Sequence, residues 1–166
     1  VNGARPFNRI AAGGLTGKRH ASGIHGRHIQ QKQTMALYLW IAIGSGIGGA
    51  ARFGLSGWVA QRFGETFPWG TIAVNVTGCF IIGLFATLTG PDGRIFADAT
   101  QRQFFMTGVL GGFTTFSSLS LQSLNLARDG QWLLAAANAV GSLIACLIAV
   151  WLGHMAAQAI TSLKGP

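Results

Sequence analysis

Acidic side chains are nearly missing from this 166-residue chain, which carries four: Glu65, Asp92, Asp98 and Asp129. All four fall at turns or at the edges of apolar runs, and none lies within a run. Charged residues make up 10% of the chain, against ~25% in soluble domains. With a mean hydropathy of +0.42, the chain reads as one small integral membrane domain with no room for a separate soluble unit. The absence of buried carboxylates argues against proton- or cation-coupled transport, which commonly uses them. It also leaves a Ser/His/Asp hydrolase without a base, since Ser117 is mid-membrane and His154 lies near the end of the last apolar run. No phosphate loop or nucleotide motif is present. Cys79 and Cys146 sit singly in apolar runs without metal-ligand spacing, and read as small buried residues.

Basic residues are plentiful only at one end. Of 12 Lys+Arg, Arg5, Arg9, Lys18, Arg19, Arg27 and Lys32 precede Met35, so the remainder balances at six bases minus four acids, or +2. The net charge of +8 therefore carries no argument for nucleic acid. Residues 1–34 hold no apolar run and so no secretory h-region. They are expected to be a disordered basic extension outside the fold, with Met35 as the working start; the other reading is a basic arm at the membrane surface.

From Met35 on, four apolar runs are expected to cross the membrane, at about 35–62, 69–89, 103–127 and 132–157. A hydrocarbon core of ~30 Å needs ~20 helical residues. Gly44, Gly48, Gly49, Ala50 and Ala51 suit the first run to close helix contact. Arg52 follows them. It reads as an anchor near a helix end; attraction of an anion would require it to face water. Pro68 suits the start of the second helix, where Thr71, Asn75 and Gly78 share a face. Asn75 reads either as interhelical glue or as part of a polar path. In the fourth run Asn138, Ser142 and Cys146 lie four apart. Trp40, Trp69, Trp132 and Trp151 stand near run ends, as interfacial anchors do. Counting bases near helix ends gives Arg94, Arg102 and Lys164 on one side against Arg62 and Arg128 on the other, almost no orientational bias.

The third run is the unusual one. Its middle is Gly111-Gly112-Phe113-Thr114-Thr115-Phe116-Ser117-Ser118. Glycine weakens a helix and hydroxyls offer its backbone competing bonds, so the helix is expected to be broken over 111–118. Unpaired peptide groups cannot face lipid, so the break should face protein, water or an ion. Thr107, Gly111, Thr114, Ser118, Gln122 and Asn125 form a helical polar stripe, with Gly108 and Gly112 as a small-xxx-small packing pair. What remains is a path of neutral donors: Asn75, Thr114, Thr115, Ser117, Ser118, Asn138 and Ser142. Amide and hydroxyl hydrogens replace water around an anion, and the Phe116 ring edge is partly positive. Carbonyls freed at the break would instead suit a cation. Composition does not name the ion.

Three motifs do. Gly-Gly-Phe-Thr-Thr-Phe-Ser at 111–117, Gly-Thr-Ile-Ala-Val-Asn-Val-Thr-Gly at 70–78 and Gly-Gly-Ala-Ala-Arg-Phe at 48–53 together resemble the Fluc (CrcB) fluoride channel family, from about Met35 to the end. The resemblance implies an all-α, multi-pass protein of the bacterial inner membrane, an antiparallel dual-topology homodimer that passes fluoride passively and so relieves its toxicity. It implies a structural sodium ion held by backbone carbonyls of Gly111 and Thr114. It places Asn75, Phe116 and Ser117 on the fluoride pore, with Asn138 and Ser142 as the fourth-helix track; Thr115 joins them as a neutral donor. The chain departs at Leu119, where the family often carries a second phenylalanine. The runner-up reading is a small four-helix proton-coupled drug exporter, which needs a membrane-embedded glutamate.

Overall fold

The computed structural model describes residues 15–91 and 93–163. The chain divides into a unit up to Ala36 and a unit from Leu37 onward, and the packing below lies within the second. The expectation for residues 1–34 falls mostly outside the described part: 1–14 are not described, and from Leu15 to residue 33 only a helical backbone is. A nucleated helix propagates at little cost per residue, so this backbone continues the membrane helix backward. Asp92 and Lys164 also lie outside the described residues.

Among the described residues, four helices are long and apolar enough to cross a membrane. Helix α1 is Leu15–Phe63, of which Thr34–Phe63 is the candidate span. Helix α2 is Trp69–Leu88, preceded by Pro68. The third span, Ala99–Arg128, we call α3, and the fourth, Trp132–Ser162, α4. At 1.5 Å per residue, even the 20 residues of α2 reach ~30 Å, the thickness of the hydrocarbon core. Gly64 (φ 79°) and Gly130 (φ 75°) end α1 and α3 in left-handed turns, which cost other residues a steric penalty.

Helix α3 begins earlier than its apolar run. Asp98 accepts from the Gln101 N–H at 2.8 Å, and the Gln101 side chain accepts from the Asp98 N–H at 3.1 Å. This reciprocal cap starts the helix at Ala99. Arg102, one turn in, donates to the carbonyl and hydroxyl of Thr89, placing a cation at the C-terminal end of α2 where orphan carbonyls favour it.

Packing is close to backbone contact. A Cβ on Gly48 would sit 2.0 Å from the Val109 carbonyl oxygen, and one on Gly112 would sit 2.5 Å from that of Ser45, so α1 and α3 meet main chain to main chain. Such approach is how helices associate in lipid, where apolar burial gives no drive. Helices α2 and α4 meet likewise, Gly83 against Val150 and Gly153 against Phe80. The fully buried large side chains are Val74, Asn138 and Ser142, while Phe53, Phe116, Trp132 and Leu133 are exposed. Two polar side chains in the deepest layer, with large apolar ones outside, invert the soluble pattern.

Candidate functional site

The interruption of α3 is narrower than 111–118. Gly111–Phe113 is helical, as is Phe116–Arg128. Only Thr114 (φ −77°, ψ 157°) and Thr115 (φ −150°, ψ 116°) are extended. Both glycines stay helical, and Gly112 serves close contact with Ser45 of α1 rather than unwinding. After the break Thr115 caps a regular helix by accepting from the Ser118 N–H, and Ser120 and Ser123 back-bond it.

Two peptide N–H groups are diverted at this point. In an unbroken helix the Thr115 N–H would close on the Gly111 carbonyl, and the Ser118 N–H on that of Thr114. Instead, Thr115 N–H donates to Asn75 Oδ1 at 2.8 Å, and Ser118 N–H donates to Thr115 Oγ1 at 3.2 Å. Asn75 completes the exchange by donating Nδ2–H to the Thr115 carbonyl at 3.0 Å. Its amide thus pairs with Thr115 as a neighbouring peptide would, and it is 6% exposed. Asn75 is glue, but glue that holds the break open. Gly78, one turn on, clears the way: a Cβ there would lie 2.3 Å from Thr114 Cγ2. On the opposite side, Arg52 Nη1 donates to the Thr114 carbonyl at 3.4 Å, so this arginine reaches the break itself.

Beside the break lies a cavity of about 590 Å³, walled by α2, α3 and α4. Among the candidate residues, Asn75, Gly111, Thr114, Thr115, Phe116 and Ser142 line it, as do Cys79, Leu119 and Cys146. Its lining contains no acidic or basic side chain among the described residues. Phe116 is 78% exposed, so its ring edge is available.

Ser142 stands apart from the other hydroxyls. Thr87, Ser120, Ser123 and Thr161 each donate to the carbonyl four residues back. Ser142 is 1% exposed, yet its Oγ has no partner. It directly follows the π-helical stretch Ala137–Gly141, whose wider turns displace the carbonyl it would otherwise use. A buried hydroxyl without a partner costs about 1–3 kcal/mol, so its place in a cavity wall is informative.

Three of the neutral donors stand elsewhere, Ser118 among them, its Oγ accepting from Thr115 Oγ1 at 3.1 Å. Ser117 is exposed and outside the lining, its Oγ 3.2 Å from Thr115 Oγ1. Asn138 is also outside the lining; its Nδ2 donates to Ser123 Oγ at 2.9 Å and to the Leu119 carbonyl at 3.4 Å. Only its Oδ1 is unpaired, and that atom is an acceptor. Asn138 ties α4 to the second limb of α3. Sequence reasoning passed over Ser120 and Ser123, which line the cavity; their spacing with Phe116, at i, i+4 and i+7, was the available signal.

The family model described as CrcB-like protein, Camphor Resistance (CrcB), matches residues 39–154. The chain is 66% identical over 131 residues to the fluoride-specific ion channel FluC of Opitutus terrae, covering 79% of this chain and 99% of that protein. It is 57% identical over 123 residues to the protein of the same name from Rhodospirillum rubrum, covering 74% and 95%. With that from Methylocella silvestris the identity is 55% over 128 residues, covering 77% and 98%. These relatives are named as ion channels and not as enzymes. The drug-exporter alternative finds no support: no relative above bears such a name, and Glu65 lies between α1 and α2 rather than within a span.

Proposed function

The chain belongs to the CrcB family, and on that premise we propose that it is a passive fluoride-selective channel of the bacterial inner membrane, exporting fluoride to relieve its toxicity. The carrying observation is the buried, unpartnered Ser142 hydroxyl in the wall of an uncharged cavity that Asn75, Thr115 and Phe116 also line. Fluoride is small and strongly hydrated. A path for it needs donors that replace water, and few fixed positive charges that would trap it. Ser142 O–H, the second Nδ2–H of Asn75 and the Phe116 edge are such donors. Ser117 and Asn138 support the path from outside the cavity, by holding Thr115 and the second limb of α3. With no carboxylate in its lining, the route runs downhill, uncoupled to protons.

The working unit in this reading is an antiparallel dual-topology homodimer. The nearly even distribution of bases supports insertion in both orientations, and the exposed apolar ring of Phe116 suits a face covered by a second copy. The carbonyls of Gly111 and Thr114 fit a sodium ion, because the two N–H groups that would occupy them are diverted to side chains. Hard carbonyl oxygens are what such a cation takes, and it would supply structural cohesion between subunits. Residues 1–34 lie outside this working unit.

The test is fluoride-electrode efflux from proteoliposomes under a fluoride gradient, beside matched chloride measurements. Fluoride release without comparable chloride release is expected. Folded, reconstituted protein that releases no fluoride, or both halides equally, overturns the proposal.

A further inference from the structure

The geometry points to a two-thiol site for a soft d10 metal cation, formed by Cys79 of α2 and Cys146 of α4 in the wall of the cavity. The sequence separates these residues, but the fold sets them side by side. Two contacts between helices α2 and α4 share one offset. Gly83 meets Val150, and Thr87 Oγ1 lies 2.8 Å from His154 Nδ1; both pairs are 67 residues apart (150 − 83, 154 − 87). Cys79 and Cys146 have the same offset (146 − 79) one turn earlier on each helix. Both are reduced, half-buried and part of the cavity lining. Each lies four residues from a polar group of the site, Asn75 or Ser142, so the sulfurs stand about one helical turn, ~5.4 Å, along the same wall.

The donor set selects the metal. Thiolates prefer soft cations. A structural zinc site takes four ligands, but among the described residues no group of three or more His, Cys, Asp or Glu side chains gathers anywhere. Two sulfurs alone suit a two-coordinate d10 ion. With Hg²⁺ the step is two S–H groups plus Hg²⁺ giving S–Hg–S and two released protons, with no change of oxidation state and no net charge left on the bridge. Such a bridge fills part of the cavity and clamps α2 to α4 beside Asn75 and Ser142. Obstruction of ion flow rests on the channel reading; the binding itself does not.

The experiment titrates HgCl₂ into the purified full chain and follows the ultraviolet sulfur-to-metal charge-transfer band. Saturation at one Hg²⁺ per chain is expected. Cys79→Ser and Cys146→Ser should each weaken binding roughly 10²–10⁴-fold, the loss of an intramolecular second ligand. Cys79→Ala and helix content by circular dichroism guard against a serine variant that misfolds. Two Hg²⁺ per chain, or wild-type affinity in a single-cysteine variant, overturns the site. In proteoliposomes, one equivalent of Hg²⁺ should slow fluoride efflux and excess dithiothreitol should restore it. Undiminished efflux from the Hg²⁺-loaded protein overturns the block. A chain that passes no fluoride at all sinks the channel reading, while the titration still decides the metal site.

Discussion

Replacing Asn75 with alanine isolates the role the structure gives that side chain. The substitution removes two hydrogen bonds, of 2.8 and 3.0 Å, and leaves the N–H of buried Thr115 without a partner, while its carbonyl, at the N-cap of the Phe116–Arg128 helix, keeps the first intrahelical bond. Orphaning the buried N–H costs about 1–3 kcal/mol and the second bond adds ~0.5–1.5 kcal/mol, so the pair sums to ~1.5–4.5 kcal/mol. Two effects lower that figure. Water in the adjoining cavity can take up part of the loss, and polar contacts in membrane bundles average nearer ~0.6 kcal/mol. We therefore expect about 2 kcal/mol of destabilisation, read as a shift in the unfolding midpoint when mixed micelles are titrated with SDS. Asn75→Asp keeps the acceptor but sets a carboxylate oxygen against the Thr115 carbonyl where Nδ2 now stands at 3.0 Å. It should destabilise at least as much and abolish fluoride efflux by placing negative charge on an anion's route. An alanine variant within ~0.5 kcal/mol of wild type would refute the keystone argument. Wild-type efflux through the aspartate variant would remove Asn75 from the pore.

Three further substitutions probe the surroundings. Gly48→Ala drives a methyl to 2.0 Å from the Val109 carbonyl and 2.7 Å from the Phe113 nitrogen; overpacking of this kind costs ~1–3 kcal/mol, and an unchanged unfolding midpoint would mean that α1 and α3 do not pack this way. Ser142→Ala removes a hydroxyl with no protein partner, so stability should hold within ~0.5 kcal/mol while fluoride flux falls about tenfold, the loss of a hydrogen bond to an anion; equal flux in the two proteins counts against the carrying observation. Arg52→Gln withdraws a positive charge from 3.4 Å beside the Thr114 carbonyl. If sodium binds there as proposed, relief of ~1.4 kcal/mol of repulsion should lower the sodium concentration needed for half-maximal flux about tenfold, and an unaltered requirement would separate Arg52 from the cation.

The four spans were legible because apolar length is the strongest signal a chain carries. The existence of the break was legible too, in hydroxyls and glycines at bilayer depth. Its extent was not, because glycine has two uses that look alike in sequence. Gly111 and Gly112 stay helical, Gly112 letting α1 approach, while the bend falls on Thr114 and Thr115. Asn138 misled for a related reason. Its place on a polar face was plain, but not that Ser123 and Leu119 had already taken its donors. The π-helical stretches at Phe104–Leu110 and Ala137–Gly141 left no mark in composition, since they are set by packing around them. The reciprocal cap of Asp98 and Gln101 was there to be read, and places the start of α3 outside its apolar run.

The break sorts donors from acceptors, and in the proposed channel that sorting would let one element serve ions of opposite sign. A helix interrupted in lipid releases N–H and C=O groups together. Here Asn75 Oδ1 and Thr115 Oγ1 take up N–H groups, and no equivalent set of side chains covers the carbonyls of Gly111 and Thr114, apart from one long contact from Arg52. The backbone of the break is thus left rich in acceptors, a poor surface for an anion and a good one for a cation. Fluoride must therefore be served by other atoms: the unpaired hydroxyl of Ser142, the spare Asn75 hydrogen and the edge of Phe116, which stand across the cavity wall rather than on the peptide itself. If the same groups had to do both, the site would bind whichever ion it met more tightly and release neither. In the proposed channel, keeping peptide carbonyls for the cation and side-chain donors for the anion removes that conflict.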